Sequence, residues 1–449
     1  MKNTIAIRRE DLSKMGEKRV AIVPTLAHKI LSRGNPVLLQ PRIHPQTKEI
    51  KRIFQDNSYT IFGVKLSEDI SAADVIFGLK EIESDHILPK KAYYFFSHTH
   101  KGQIKNREML RSLVEQKNTL IDYELITDSN QQRLITAFTY FAGYAGMIDS
   151  LWALGKRLSI QGVENAFSNI PQSIVCEDLA KIKEIIKEVA KEIEQKGTPE
   201  ELPPIICCFL GAGKTSTAAQ EIFDLLPSKE ITIADLPKVF AEGSRKQLYK
   251  LVLDIPDMYR LKSTSPYIDQ KLAYSELFQL YIKEPEHFES DLDKVFPYCS
   301  LMMNCIIWSP KYPRLLSRED TARWYEMHQS LQLIGDITCD PEGAIHFSKE
   351  TWIDEPVFIY DPAKQSQQMG FEGSGIAVMA VTNLPCEFSA DASNLFSSNL
   401  SPLIVGITEA DYQAETPQLA GLPTEIQAAT ILWKGEFTEK YDYMKQYLQ

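Results

Sequence analysis

The segment Ser97-His98-Thr99-His100-Lys101-Gly102-Gln103 follows the apolar run Ala92–Phe96, which reads as a buried strand. Two histidines, a lysine and a glutamine are poor core material, and in open α/β sheets ligands bind at the carboxyl ends of the strands. A second isolated lysine, Lys80, closes another strand-like run that starts at Asp74. Parallel strands ending in Lys80 and His98 would bring an amine and an imidazole together, a pair suited to acid–base work. The competing reading is that both are ordinary strand-end polar residues facing water.

The elements that must position these residues follow from pattern. From Thr4 to Tyr123, short apolar runs at Val37, Val75, Tyr93 and Thr119 alternate with helical stretches. That alternation predicts a parallel sheet with crossover helices. Thr25 is placed to cap the first helix, and Gly34 to stop it. Phe138 to Leu158 reads as a long helix with a small-residue face at Gly143, Ala145, Gly146 and Ala153. Cys176 to Gln195 reads as an amphipathic helix, and 197–204 as a linker or turn. A second α/β unit opens with Ile205–Leu210 and Gly211-Ala212-Gly213, with later strands near Leu301–Trp308, Leu331–Ile334 and Gly375–Val381. Asp257 to Pro297, rich in Tyr, Lys and Glu, reads as helical insertion material.

At 449 residues the chain is too long for one core. A net charge of −11 argues against a nucleic-acid partner, which calls for a basic face. No apolar run reaches the length of a membrane span. The start of the chain lacks a secretory or import pattern, so the protein is expected to be cytoplasmic. Seven scattered cysteines without a C-x-x-C indicate neither a disulfide framework nor a metal site.

Gly211-Ala212-Gly213-Lys214-Thr215-Ser216 admits two readings. It contains the G-K-T of a phosphate-binding P-loop, but Cys208 stands where that motif needs its first glycine. Leu333-Ile-Gly-Asp336 could then imitate a Mg²⁺ site. The other reading is a dinucleotide loop: strand, G-x-G, helix, with pyrophosphate on backbone N–H groups at the helix start. Asp235 or Glu230, near the end of the next strand-like run, could accept a ribose hydroxyl. Arg245 and Lys246 could instead meet a 2′-phosphate. A ligand-free structural turn remains open as well.

Several segments in order along the chain carry a resemblance. They are Arg8-Arg-Glu with Glu17-Lys-Arg19 through Pro24, Val75 through Lys80-Glu81, Phe96 through Lys101-Gly-Gln103, Leu120-Ile-Asp122-Tyr-Glu124, Arg133, and Phe141-Ala-Gly143-Tyr-Ala-Gly146. Downstream come Gly211-Ala-Gly213, Pro313 through Leu316, Asp336 through Asp340 and Asn383-Leu-Pro385. Together they resemble the saccharopine dehydrogenase family, in its lysine–2-oxoglutarate reductase (saccharopine-forming) type. The N-terminal half also resembles the alanine dehydrogenase/transhydrogenase N-terminal domain. The chain reads as a stand-alone reductase, without the second dehydrogenase of bifunctional homologues.

The resemblance implies two Rossmann-like α/β domains with parallel sheets and an active site in the cleft between them. The substrate domain would comprise residues 1–143 and 385–449, and the dinucleotide-binding domain 144–384. Lysine would condense with 2-oxoglutarate, and NAD(P)H would reduce the imine to saccharopine, or the reverse. NADP is the expected cofactor and NAD the alternative. Lys80 would take the proton from the incoming ammonium, and His98 would move protons on the carbinolamine. Arg19, Lys101 and Arg133 would hold carboxylates. Gln103 would meet substrate oxygens, and Glu124 would hold cationic side chains or receive an amino group. Gly211, Ala212, Gly213, Lys214, Thr215, Ser216, Asp235 and Arg245 would bind the cofactor. No metal is implied, Asp122 is expected to be structural, and His100 receives no role. Ala218 and Thr382 depart from the family pattern where it has glycine and an acid, and Lys214 stands where relatives have asparagine. Rival readings are an opine-type dehydrogenase with another amine or oxo acid, and an inactive nucleotide-binding homologue.

Overall fold

The computed structural model describes residues 2–176 and 178–448. Along the chain run β1 (Ile5–Ile7), β2 (Val37–Leu39), β3 (Lys65–Leu66), β4 (Val75–Phe77), β5 (Ala92–Phe95) and β6 (Thr119–Asp122). There follow β7 (Ile206–Leu210), β8 (Ser228–Glu230), β9 (Leu248–Leu253), β10 (Tyr259–Leu261), β11 (Phe288–Ser290), β12 (Leu301–Asn304) and β13 (Leu333–Asp336). The remaining strands are β14 (Val357–Asp361), β15 (Ser366–Met369), β16 (Ile376–Met379), β17 (Thr430–Trp433) and β18 (Glu436–Phe437). Contacts divide the chain into two compact units, 1–138 with 389–449, and 139–388.

The first unit holds an eight-stranded sheet in the order β18-β17-β6-β5-β4-β1-β2-β3. Strands β1 to β6 are parallel, and β17 joins β6 antiparallel. The central strands are buried along their length, as expected of a sheet covered on both faces. The helix Pro24–Ser32 starts on its proline, and Thr25 makes no cap bond. Val23 is the N-cap and Pro24, preorganised for the first helical position where an N–H would have no partner in the helix, opens the helix, so the expected threonine cap lies inside it at Thr25.

The second unit holds an eight-stranded sheet in the order β15-β14-β16-β13-β12-β7-β9-β8. Its strands are parallel except for β14, which pairs antiparallel with both β15 and β16. The sheet is thus mixed at one edge. The segment expected to be helical, Asp257 to Pro297, contains the helix Tyr274–Lys283 but also the antiparallel ribbon β10–β11. Tyr259 and Phe288 in that ribbon are buried, so the tyrosine-rich composition reflects packing rather than helix.

The long helix Ala137–Ile160 packs its Gly143 on the helix Lys214–Phe223 that follows the glycine loop. A Cβ on Gly143 would lie 2.3 Å from the Thr215 carbonyl oxygen and 2.7 Å from the Ala218 Cβ. Ala218 is fully buried in this helix contact. The small residue at 218 therefore serves helix packing. We expect Gly143→Ala to cost about 1–3 kcal/mol through overpacking, read as a lower urea midpoint at an unchanged slope; an unchanged midpoint refutes the contact.

Candidate active site

In the first unit, neighbouring strands β1, β4, β5 and β6 end side by side and deliver Glu10, Lys80, His98 and Glu124. The ladder continues past β4 and β5, since Phe96 N donates to Leu79 O at 2.9 Å. That bond fixes the backbones of Lys80 and His98 next to each other.

Each loop is held by a buried carboxylate. Glu10 accepts from Leu79 N at 2.8 Å and from Lys80 N at 2.9 Å, which pins the turn carrying Lys80. Burial raises the Glu10 carboxyl above its usual range, against the nearby Arg8 charge. Asp122 does the same for two loops at once. Its Oδ2 accepts from Ser97 N at 2.9 Å, Ser97 Oγ at 2.6 Å and His98 N at 3.1 Å, while Oδ1 accepts from Glu124 N at 2.8 Å. Asp122 is fully buried and structural.

His98 adopts a left-handed backbone (φ 51°), unusual for a residue with a Cβ. Its Nδ1 lies 2.7 Å from Glu81 Oε1, and Lys14 Nζ donates to Glu81 Oε2 at 2.9 Å. Burial pushes Glu81 up, but His98 and Lys14 outweigh it and hold the carboxylate well below its usual range. Glu81 therefore stays ionised and fixes the imidazole through Nδ1, leaving Nε2 for chemistry.

The cations expected to grip carboxylates already have acidic partners. Arg19 forks onto Glu17, with Nε to Oε1 at 2.8 Å and a second nitrogen to Oε2 at 2.6 Å. Its guanidinium also lies 4.1 Å from the centre of the Phe138 ring. Burial pushes Glu17 up, but the Arg19 charge and hydrogen bonds bring it down to about 2, helped by the Lys80 ammonium. Lys101 and Arg133 both donate to Glu124 Oε1, at 2.9 and 2.8 Å. Glu124 Oε2 is 3.6 Å from His100 Nε2, and burial lowers the His100 imidazole. Gln103 is exposed, with its side-chain oxygen 3.4 Å from Asn106 Nδ2.

One end of the first sheet thus gathers Lys80, His98, Arg19, Lys101, Arg133 and Glu124. Glu10, Glu17, Glu81, Lys14 and Phe138 are the supporting residues that sequence reasoning left without roles. Glu10, Glu17 and Glu81 each stood inside a motif already singled out, and acids beside expected cations were the available signal.

In the second unit, β7 ends at Leu210 and the ten-residue helix begins at Lys214, so the loop is Gly211-Ala212-Gly213. Gly211 has φ 101°, which requires glycine. Gly213 is open on its Cβ side and extended, and no side chain caps the helix that follows. Lys214, Thr215 and Ser216 form the first turn, whose N–H groups suit a pyrophosphate. This cradle fits a dinucleotide. The P-loop reading fails, because Cys208 is a buried residue inside β7 and three loop residues cannot wrap a triphosphate. Asp336 is likewise structural: it takes Asn304 Nδ2 at 2.8 Å, Cys339 N and the Ser348 hydroxyl.

Two cofactor candidates stand apart from this loop. Arg245 gives its guanidinium to the carbonyls of Pro199 and Leu202, so it ties down the linker. Asp235 is exposed in a capping box with Thr232, just beyond the edge strand β8.

Two sheets of this kind, one carrying a strand–glycine loop–helix, define the class: a two-unit dehydrogenase fold. Comparison with solved structures bears this out. The chain is similar to an L-alanine dehydrogenase at a TM-score of 0.64 and 15% identity, over 99% of this chain and 100% of that one. A transhydrogenase from Sinorhizobium meliloti follows at 0.57 and 14%, over 97% and 100%. Residues 6–145 match the family described as alanine dehydrogenase/PNT, N-terminal domain.

In sequence, the chain is similar along its length to alpha-aminoadipic semialdehyde synthases. The Arabidopsis thaliana protein is 33% identical over 453 residues, covering 98% of this chain and 41% of the relative. The mitochondrial Mus musculus protein is 29% identical, covering 99% and 48%. A saccharopine dehydrogenase [NAD(+), L-lysine-forming] of Yarrowia lipolytica is 26% identical over 276 residues, covering 59% and 70%. The resemblance to the saccharopine dehydrogenase family therefore holds over the whole chain. The chain spans somewhat less than half the length of the semialdehyde synthases it matches. Among the described residues, no helix is long and apolar enough to cross a membrane.

Two outcomes follow from this geometry. Asp122→Ala should lose about 2–4 kcal/mol in urea unfolding, because several buried N–H and O–H donors lose one acceptor; a loss below ~0.5 kcal/mol contradicts the clamp. For Glu17 the folded value lies below the unfolded one, so its stabilisation is full above pH ~4.5 and disappears as pH falls through about 2. The melting-temperature gap between wild type and Glu17→Gln should be flat from pH 8 to 5 and shrink below ~4.5. A gap that widens toward acid would contradict the assignment.

Proposed function

We propose that the chain is a lysine–2-oxoglutarate reductase of the saccharopine-forming kind. The observation that supports it best is the delivery of Lys80 and His98 by adjacent strands beside Arg19, Lys101 and Arg133. An α-keto dicarboxylate needs cations at both ends, and an ammonium needs a base before it can attack a ketone.

In this reading the neutral form of Lys80 takes a proton from the substrate lysine ε-ammonium, and the freed nitrogen pair adds to the ketone carbon of 2-oxoglutarate. The ketone oxygen takes two protons in turn, one from the attacking nitrogen and one more, both moved by His98 through Nε2, and it leaves as water while the nitrogen pair forms the C=N bond of the protonated imine. A nicotinamide held at the glycine loop would supply the hydride that reduces the imine carbon to give saccharopine, and the reverse would run the same steps backwards. Arg19, Lys101 and Arg133 bind and orient carboxylates, Gln103 meets a substrate oxygen, and Glu81 keeps the imidazole in place. Glu124 holds Lys101 and Arg133 until substrate arrives. The Gly211–Ser216 cradle binds the dinucleotide pyrophosphate on backbone N–H groups. Substrates are small molecules, and the proposed compartment is the cytoplasm.

The test follows nicotinamide oxidation by the purified chain with 2-oxoglutarate and a panel of amines. Lysine-dependent oxidation is expected, with Lys80→Met and His98→Gln each reducing kcat/KM by about 100-fold or more. Oxidation with a different amine or oxo acid would replace the lysine reading by an opine-type one. No oxidation with any pair would refute the enzyme reading.

A further inference from the structure

The strand order of the second sheet decides which residue meets the adenosine ribose. In a doubly wound dinucleotide fold the cofactor lies across the carboxyl ends of the strands, at the point where strand order reverses. Its adenosine ribose is read by an acid at the end of the strand beside the glycine-loop strand. That neighbour is usually the next strand in sequence. Here it is not: β7 pairs with β9, and β8, the next strand along the chain, pairs only with β9 at the sheet edge. Glu230 at the end of β8 and Asp235 beyond it therefore belong to a strand two positions from β7, roughly 10 Å away.

The residue that closes β9 is Asp254. Its strand end touches the glycine loop directly, because Gly211 N donates to Leu253 O at 2.8 Å. Asp254 is half-buried, and its side chain already accepts from Ile255 N at 2.8 Å, which fixes the carboxylate at the strand end. Asp257 stands one turn on, bonded to Asp254 N and to the Tyr274 hydroxyl. No basic residue occurs from Leu251 to Tyr259. The next one, Arg260, is occupied by Glu289 and Asp291, each at 2.9 Å.

On the reading that the glycine loop holds a nicotinamide dinucleotide, we propose that Asp254 is the ribose-recognition residue and makes the protein select NADH over NADPH. Its carboxylate accepts hydrogen bonds from the ribose hydroxyls of NADH. The 2′-phosphate of NADPH would bring like charge against Asp254 and Asp257, and the segment from Leu251 to Tyr259 holds no basic residue to answer it. The selectivity lies in β9, the strand inserted between β7 and β8.

The test measures binding without substrate, by energy transfer from tryptophan to the reduced nicotinamide, with NADH and NADPH titrated separately. Wild type should bind NADH at least about tenfold tighter than NADPH, the loss expected when a charge-assisted bond is replaced by repulsion. Asp254→Ser keeps a capping oxygen and should reduce that ratio to near unity, while Asp254→Arg should invert it. Asp235→Ser should leave it unchanged, and thermal melts of each variant report on folding. Tighter NADPH binding by wild type, binding of neither dinucleotide, or a ratio that follows Asp235 would overturn the proposal. NADH selectivity in a chain that turns over no lysine would refute the proposed reaction and leave this inference standing. NADPH-selective lysine turnover would do the opposite.

Discussion

The first unit turns on one buried carboxylate. A parallel sheet ends every strand at the same edge, and each loop leaving that edge carries backbone N–H groups that no strand partner takes. Asp122 answers this on β6 by accepting from the backbone of Ser97, His98 and Glu124 and from the Ser97 hydroxyl. Without it, the left-handed turn at His98 would have no reason to persist, since a non-glycine residue there costs on the order of 1 kcal/mol or more. Glu10 repeats the device for the Lys80 turn. Lys80 and His98 are therefore placed by buried carboxylates.

Much of this arrangement was legible in the sequence, and the reason is the period of the signal. Short apolar runs ending in polar residues marked β4, β5, β6 and β7, because strands buried on both faces read as near-continuous hydrophobic stretches. Lys80, His98 and the glycine loop stood out as residues with no place in a core. What failed to show is what depends on tertiary pairing. Nothing local distinguishes a strand that pairs with β7 from one at the edge, so Asp235 and Glu230 stood out as ribose candidates while Asp254, on the strand that pairs with β7, carried no mark. Arg245 looked free for a phosphate, yet its guanidinium is used by two backbone carbonyls of the linker. The ribbon β10–β11 was hidden by a tyrosine- and charge-rich composition that fits a solvated helix equally well.

The departures from family pattern take on a physical meaning once the packing is known. Ala218 stands where relatives carry glycine, and it lies under Gly143 in a helix contact rather than at the mouth of the loop. Gly143 leaves the space that the Ala218 methyl group fills. The cradle itself keeps the glycine that its backbone conformation demands, Gly211, and an open Gly213.

Charge gives the last step. The chain carries a net charge of −11, so an anionic substrate meets a repulsive field everywhere except where cations concentrate. At the first unit's strand ends those cations are present but answered: Arg19 by Glu17, and Lys101 with Arg133 by Glu124. The two arrangements differ in kind. The Arg19–Glu17 fork is buried, stacked on Phe138 and resistant to acid, so it is a fixed, internally neutralised pair. Lys101 and Arg133 are about half exposed and share one oxygen of Glu124, whose own side chain is only 10% exposed, so the cations face solvent while the acid that pairs them does not.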